Sequence, residues 1–331
     1  MTDLWRDWKP ILVLMVLAPF LAEVGSGAIP ITMFFLPGYL LPYMIFLYGV
    51  QILVIREVAV RRNIGLVGLW CLGLVYGIYN EALLAETLFA PLTSPLETFA
   101  DYGLVANLRV PFTVWILAWH GLFSVLTPVL VVQRLFPDRA ARPWLPVRLT
   151  WVLGTLSIAF AVTHFLMGED RQVQDGSTFA IHLALVVAAA VAVCAVAMKA
   201  APARRVAGLD QSPGSLWQPF TVGAALYAVL FVGTEVLADS AVPWLLFMVF
   251  FLLILIVALW AVGRAPAVAL DTAVAFVLGA GAGQSVLGIV FGIVIGQILW
   301  AVAGLLFTAA IAVMLIRLRR SRRALPHGSA P

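Results

Sequence analysis

The chain has 331 residues, of which 63% are hydrophobic and only 11% charged, and its mean hydropathy is +1.05. Soluble domains are typically about 45–50% apolar and about 25% charged, so the composition excludes an ordinary soluble protein and predicts an all-α, polytopic membrane protein. The net charge of +4 comes without a basic stripe interleaved with aromatic residues, so the expected partner is a lipid bilayer and not nucleic acid.

The apolar runs predict a transmembrane helix bundle of about ten spans. A helix needs about 20 apolar residues to cross the hydrocarbon core, and unpaired backbone groups in lipid disfavour open strands. The predicted spans are 11–36, 38–56, 64–88, 111–134, 147–167, 178–198, 217–237, 242–262, 267–283 and 286–316. The first span is expected to be a retained helix, with a cleaved signal peptide as the alternative, because its apolar stretch continues and lacks a clean A-x-A site.

The basic residues fall on alternate connections, as the positive-inside rule requires for ten spans. Of the twenty basic residues, only Arg109 and Arg171 fall on predicted outer loops, which carry acids instead. This alternation predicts a multi-pass protein of the cell membrane with both termini in the cytoplasm. The basic pI therefore reflects the basic residues of the predicted cytoplasmic loops.

Polar residues at membrane depth divide the chain into unequal parts. Helices 1–4, within residues 1–136, are expected to carry a polar site. Residues 137–316 are expected to form the six further helices 5–10, which are rich in Ala, Val and Leu and serve mainly as scaffold, and residues 317–331 form a basic cytoplasmic tail. The connections are too short for a separate soluble domain.

Three ionisable residues are predicted to converge in the outer half of the bilayer. A carboxylate at the bilayer centre costs about 2.5–3.5 kcal/mol, so one that persists there is a functional candidate. At 1.5 Å per residue, Glu23 on the first span, Glu81 on the third and His120 on the fourth reach a similar depth. Gly73 and Gly77 precede Glu81 at four-residue spacing, which favours close approach of another helix.

Further polar residues surround these three in the sequence. Thr113, His120 and Thr127 recur every seven residues and predict a polar stripe, with Ser124 one turn beyond the histidine. The expected supporting residues are Asn80, Glu86, Ser124 and Thr113. Two alternatives are a solvated helix-end role for Glu86 and a packing role for His120. Cys71 and Cys194 predict small packing residues, and no cofactor or metal is predicted.

Arg56 and Glu57 follow at the inner end of the second span. They are expected to be interfacial, anchoring the helix or pairing with Arg61. This interpretation gives them no part in the polar site.

The segment GIYNEALLAETLF, followed later by ILAWH, resembles the glutamate-dependent intramembrane proteases of the CAAX-processing and bacteriocin-immunity family. The resemblance implies hydrolysis, with Glu81 on the second of two glutamates and His120 on the histidine of the next motif. Asn80 replaces the glutamate that activates water in that family, Ala85 replaces an arginine, and Ile116 replaces a phenylalanine. The chain also resembles multi-pass bacterial membrane proteins that have no assigned activity.

The leading functional hypothesis is a glutamate-dependent intramembrane hydrolase acting on an unknown peptide or small molecule, in which Glu81→Gln abolishes activity. Two alternatives stay open. Buried Glu and His also serve proton-coupled transporters, and the chain can be a non-catalytic scaffold. Gly288, Gly292 and Gly296 form a small-residue face that predicts internal packing or a homo-oligomer.

Overall fold

The computed structural model of the protein describes residues 2–25, 32, 40–89, 99–167, 176–199, 206–207, 215–240, 242–264 and 268–324. Within these ranges the chain is overwhelmingly helical. The C-terminal part of the first predicted span and the start of the second, within residues 26–31 and 33–39, lie outside the described residues, as do residues 90–98 and 168–175.

Eleven helices follow one another in the described residues, and several pass without interruption into a wider π-helical stretch. They are α1 (Thr2–Pro19, then π-helical Phe20–Val24), α2 (Leu40–Met44, π-helical Ile45–Val50, Gln51–Arg61), α3 (Leu66–Tyr79, π-helical Asn80–Leu84), α4 (Val110–Trp119, π-helical His120–Leu126, Thr127–Leu135), the short α5 (Pro137–Ala140), α6 (Val147–Met167), α7 (Gly176–Lys199), α8 (Trp217–Tyr227, π-helical Ala228–Val232, Gly233–Asp239), α9 (Trp244–Arg264), α10 (Leu270–Val294) and α11 (Ile298–Ala324).

Seven of the described helices are long and apolar enough to cross a membrane: Leu41–Arg61, Leu66–Leu84, Val110–Leu135, Val147–Phe165, Trp217–Asp239, Leu270–Val294 and Ile298–Ser321. This confirms a helical membrane bundle. The count of ten spans and the cytoplasmic placement of the termini stay predictions.

One predicted boundary is wrong. The sequence interpretation ended the ninth span at 283 and began the tenth at 286, whereas α10 runs unbroken from Leu270 to Val294. The chain reverses instead at 295–297, where Gly296 adopts φ +73°, a conformation that glycine reaches without the steric cost of a Cβ. Gly296 therefore lies in a turn, and the expected single helical face of Gly288, Gly292 and Gly296 does not exist.

The core sits where α1 to α4 meet. Val110–Leu135 has 78% of its apolar stretch buried, against 17% for Val147–Phe165 and 22% for Ile298–Ser321. The peripheral helices present large exposed apolar faces, which on a single chain of this size mark a surface for lipid. The central position of α4 places its polar residues inside the protein.

Four two-residue strands lie in the described parts of the connections between helices. β1 (Leu104–Val105) and β2 (Leu108–Arg109) pair antiparallel between α3 and α4, with Leu104 opposite Arg109. The two turn residues Ala106 and Asn107 both have positive φ, 47° and 64°, as a type I′ hairpin turn requires. β3 (Val206–Ala207) and β4 (Val268–Ala269) pair in parallel. The hairpin fixes the start of α4 and the position of Arg109.

Candidate functional site

Four π-helical stretches bring three predicted site residues together with Tyr48, which the sequence interpretation did not include. Glu23 lies in the stretch that ends α1, Tyr48 in α2, Glu81 in α3 and His120 in α4. A π-helical turn closes its hydrogen bonds one residue later than an α-helix; such turns are rare and occur frequently at functional sites. The widened turns of four helices therefore coincide with the polar residues at the centre of the bundle.

Close packing of α3 on α4 sets the distance between the acid and the imidazole. A Cβ at Gly73 would lie 2.6 Å from the Cα of Gly121, and one at Gly77 would lie 3.1 Å from the Cβ of His120. The expected helix approach along the Gly73 and Gly77 stripe is confirmed. Because Glu81 lies one turn beyond Gly77, this contact presents its carboxylate to His120.

Glu81 and His120 form a direct, buried pair. The Oε1 atom of Glu81 lies 2.7 Å from Nε2 of His120, and the two residues are only 6% and 2% exposed. On the other side of the ring, Nδ1 of His120 lies 2.8 Å from the Ser124 hydroxyl. A neutral imidazole protonated at Nε2 satisfies both contacts, donating to the carboxylate and accepting from Ser124. The pair is thus walled off from lipid, as expected.

Asn80 and Tyr48 connect this pair to Glu23. The Nδ2 group of Asn80 donates to Oε1 of Glu81 at 3.2 Å and to the Tyr48 hydroxyl at 3.4 Å. The Tyr48 hydroxyl in turn donates to Oε1 of Glu23. The three residues predicted as the centre of the site, with Asn80 and Ser124, therefore belong to one hydrogen-bonded network across four helices.

The second oxygen of Glu81 is held by the loop that follows α3. The Thr87 hydroxyl donates to Oε2 of Glu81. Arg109, only 1% exposed, donates from its Nη1 to the Thr87 carbonyl and from its Nε to the Ala100 carbonyl, both at 2.8 Å. Burial lowers the pKa of Arg109 and nearby Asp101 opposes the shift, but a guanidinium stays protonated in proteins. Arg109 therefore fixes the loop that positions Thr87.

Tyr76 adds a polar atom whose partner is missing. Its ring packs between Tyr48 and His120, with centroid distances of 5.6 and 5.5 Å. Its hydroxyl is buried and has no hydrogen-bond partner among the described residues. Buried polar groups are normally satisfied by protein or water, so the Tyr76 hydroxyl is a candidate donor to a water or a substrate oxygen.

Two predicted supporting residues lie apart from the network. The Thr113 hydroxyl donates to the Arg109 carbonyl at 2.8 Å, which ties it to the first turn of α4. Glu86 follows the end of α3 with φ 53°, a left-handed conformation, and the side-chain hydrogen bonds that the structure gives for Glu81 and His120 in the described residues go to Asn80, Thr87, Ser124 and each other. In the described ranges, no group of three or more His, Cys, Asp or Glu side chains is arranged to hold a metal ion.

A family model for an uncharacterised membrane protein family matches residues 12–320. The chain belongs to this family. No curated protein and no solved structure matches it at a significant level. The match supports an integral, multi-pass membrane protein, and it gives no support to the resemblance to CAAX-processing proteases.

In this member of the family, a second buried network that the sequence interpretation missed lies at the C-terminal end of α2. Arg56 and Glu57 were expected at the interface, yet both side chains are 0% exposed and pair at 2.6 Å. Arg56 donates to the carbonyls of Ala140 and Arg142, both at 2.8 Å, and its guanidinium lies 3.6 Å from the centroid of the Trp144 ring.

Glu57 completes this network from the acidic side. It accepts from the backbone amides of Trp144 at 2.9 Å and Leu145 at 3.2 Å. The expected pairing with Arg61 is confirmed at 3.2 Å. The connection after α4 folds over both side chains and buries them within the protein, while their interfacial depth in the membrane stays a prediction.

Proposed function

We propose that the Glu81 network is the proton-transfer site of a membrane-embedded hydrolase, in which the Glu81 carboxylate, paired with His120, deprotonates a water that attacks a carbonyl. The observation that carries the proposal is the set of hydrogen bonds that this carboxylate accepts. It accepts from His120, Asn80 and Thr87, which leaves one of its roughly four acceptor positions for a water.

The surrounding groups supply the other parts of such a reaction. The unpartnered Tyr76 hydroxyl is a donor for the developing negative charge on the attacked oxygen. Glu23 is a second acid, connected through Tyr48 and Asn80, and can return a proton to the leaving group. Ser124 holds the imidazole from its far side at 2.8 Å, which fixes the tautomer that donates to Glu81.

The test compares hydrolysis by purified protein in lipid nanodiscs with that of two matched variants. The substrates are a fluorogenic peptide library and fluorogenic acyl esters. A general base contributes about 10²–10⁴-fold to rate, so Glu81→Gln should lose at least about 100-fold, whereas Glu86→Gln, outside the network, should retain activity. Equal activity of wild type and Glu81→Gln would remove Glu81 from the chemistry.

A second candidate function, proton-coupled transport of a small solute, is favoured by the continuity of the same network. Glu23, Tyr48, Asn80 and Glu81 form a chain of hydrogen-bonding groups between two acids, and ionisable residues in such chains serve as proton relays in carriers. Proteoliposomes with an imposed pH gradient separate the two functions. Solute uptake that depends on Glu81, without hydrolysis of either substrate class, would overturn the hydrolase proposal.

A further inference from the structure

An elongated cavity of about 390 Å³ lies between α1, α4, α10 and α11, and none of its lining residues belongs to the Glu81 network. Along α4 the lining runs from Phe123 to Leu135, a length of about 18 Å at 1.5 Å per residue. The wall is mostly aliphatic and aromatic. The volume falls at the small end of ligand sites, which span about 300–1,000 Å³, so the space has room for one hydrocarbon chain.

A cation, Arg317, lies at one end of this cavity. It lines the cavity and is exposed. Arg134 directly precedes the lining residue Leu135 on α4. Arg134 donates to Ser321, one turn beyond Arg317 on α11, so the guanidinium lies at the Leu135 end. Asp271, the acid at this level of α10, is already paired with Arg134, which leaves the charge of Arg317 for an anionic ligand.

A buried amide, that of Gln284, lies at the opposite end. The ring of Tyr227 packs on Phe123 with centroids 5.7 Å apart. A Cβ at Gly283 would lie 2.6 Å from the same Tyr227 ring, so α10 passes the Phe123 end of the cavity at Gln284. The Nε2 atom of Gln284 is buried and has no hydrogen-bond partner in the described part of the chain. An amide donor enclosed by apolar side chains requires an acceptor, so this end calls for an oxygen on the occupant.

The separation of these two donors sets the length of the occupant. A Cβ at Gly281 would contact Ile311 at 3.5 Å, which places these two residues at one level. Gln284 lies three residues from that level on α10, and Arg317 lies six residues from it in the opposite direction on α11, so their backbones are about 14 Å apart along the helices. Helical side chains lean toward the N-terminus of their helix, and the two helices are antiparallel, so the donors themselves approach to about 10 Å.

We propose that this cavity binds a medium-chain fatty acid with a hydroxyl group at its far end, its carboxylate on Arg317 and its hydroxyl oxygen accepting from Gln284. The chain between the two groups then lies inside the cavity, along the apolar wall. Each carbon of an extended chain adds about 1.3 Å, because C–C bonds of about 1.5 Å zigzag, so about eight to eleven carbons join the two groups. Arginine suits the carboxylate because its donors form a planar fork. The site shares no residue with the Glu81 network, and the proposal is independent of the hydrolase.

Native mass spectrometry of the full chain in detergent tests the site with three probes: 10-hydroxydecanoate, decanoate and 2-hydroxydecanoate. We expect 10-hydroxydecanoate to bind about tenfold more tightly than the other two, because its hydroxyl alone reaches the unpaired amide. Gln284→Leu should abolish this preference and leave decanoate binding in place. Arg317→Gln should weaken binding of all three acids about tenfold, whereas Arg320→Gln, on the same helix but outside the cavity lining, should preserve it.

A matched pair of glycine variants tests whether the chain lies inside the cavity. Gly281 lines it, and the first atom of a leucine there meets Ile311 only at ordinary contact distance, so the rest extends into the cavity. Gly281→Leu should lose 10-hydroxydecanoate binding while its thermal unfolding stays close to wild type. Gly288→Leu should keep binding, because a Cβ there meets nothing within 4 Å and Gly288 is outside the lining.

Four results would overturn the proposal. They are equal affinity for 10-hydroxydecanoate and decanoate, a preference for the hydroxylated acid that survives in Gln284→Leu, an Arg317→Gln effect no larger than that of Arg320→Gln, and undiminished binding to a folded Gly281→Leu variant.

Discussion

Replacing Gly73 with alanine tests whether the contact between α3 and α4 sets the geometry of the site. The new Cβ would lie 2.6 Å from the Cα of Gly121, about 1 Å closer than an ordinary carbon contact of about 3.5–4 Å. Since the obstructing atom is backbone, the helices must separate by about that amount. The distance from Glu81 to His120 would then grow from 2.7 Å to about 3.7 Å, where a hydrogen bond no longer exists.

Thermal and denaturant unfolding in detergent measure this effect through a double-mutant cycle. Overpacking costs about 1–3 kcal/mol, and an interhelical hydrogen bond in a membrane protein is worth about 0.6–1.7 kcal/mol. Gly73→Ala should therefore destabilise the protein, and Glu81→Gln should cost about 1 kcal/mol less in the Gly73→Ala background than in wild type. The control is Gly288→Ala, since a Cβ there meets nothing within 4 Å. Additive effects of the two substitutions, or equal behaviour of Gly73→Ala and Gly288→Ala, would refute the reasoning.

Three further predictions concern the parts of the fold that support the site. Arg109→Lys should lower the melting temperature by a few degrees in differential scanning fluorimetry, because one ammonium cannot reproduce the planar contacts to the Thr87 and Ala100 carbonyls; an unchanged melting temperature would contradict it. Arg56→Met should cost about 3 kcal/mol in denaturant unfolding, because it removes the fully buried cation of Glu57 and leaves only the more exposed Arg61 beside it, and Arg56→Met with Glu57→Leu should cost less than the sum of the single changes; strict additivity would argue against a coupled pair. Ala106→Gly should stabilise the protein by about 1 kcal/mol because alanine at φ 47° pays the left-handed penalty of a Cβ atom; a lower melting temperature in the same assay would show that the hairpin turn is not type I′.

The helical membrane fold and the meeting of Glu23, Glu81 and His120 could be predicted from the sequence. Apolar run lengths locate the helices, and the cost of a carboxylate in lipid forces Glu81 toward a partner inside the bundle. The glycine spacing before Glu81 identifies the face that contacts α4. These signals are local, so they can be read without the tertiary structure.

The remaining features depend on geometry that local patterns do not contain. The polar stripe from Thr113 to Thr127 assumed an uninterrupted α-helix, but the π-helical turn at His120–Leu126 changes the side-chain directions, and both threonine hydroxyls bond carbonyls of their own chain segment. Arg109 reaches Thr87 across 22 residues. Its one sequence signal was its position as a basic residue on a predicted outer loop.

The burial of Arg56 and Glu57 could not be predicted for a similar reason. Position along α2 says nothing about the connection at 139–145, and it is this connection that covers both side chains. The boundary between α10 and α11 was displaced because Gly283, Gln284 and Ser285 look like a break in apolar sequence, although the helix tolerates them and the reversal needs only the left-handed Gly296.

The central claim is that Glu81 and His120 form a directly hydrogen-bonded pair inside the bundle. Solid-state NMR of the protein in lipid, with ¹³C in the glutamate carboxyls and ¹⁵N in the histidine rings, measures this distance by dipolar recoupling. The account predicts a carboxyl carbon within about 4 Å of an imidazole Nε2, a signal that disappears in Glu81→Gln and persists in Glu86→Gln. A shortest separation beyond about 6 Å, or a signal that survives in Glu81→Gln, would contradict it.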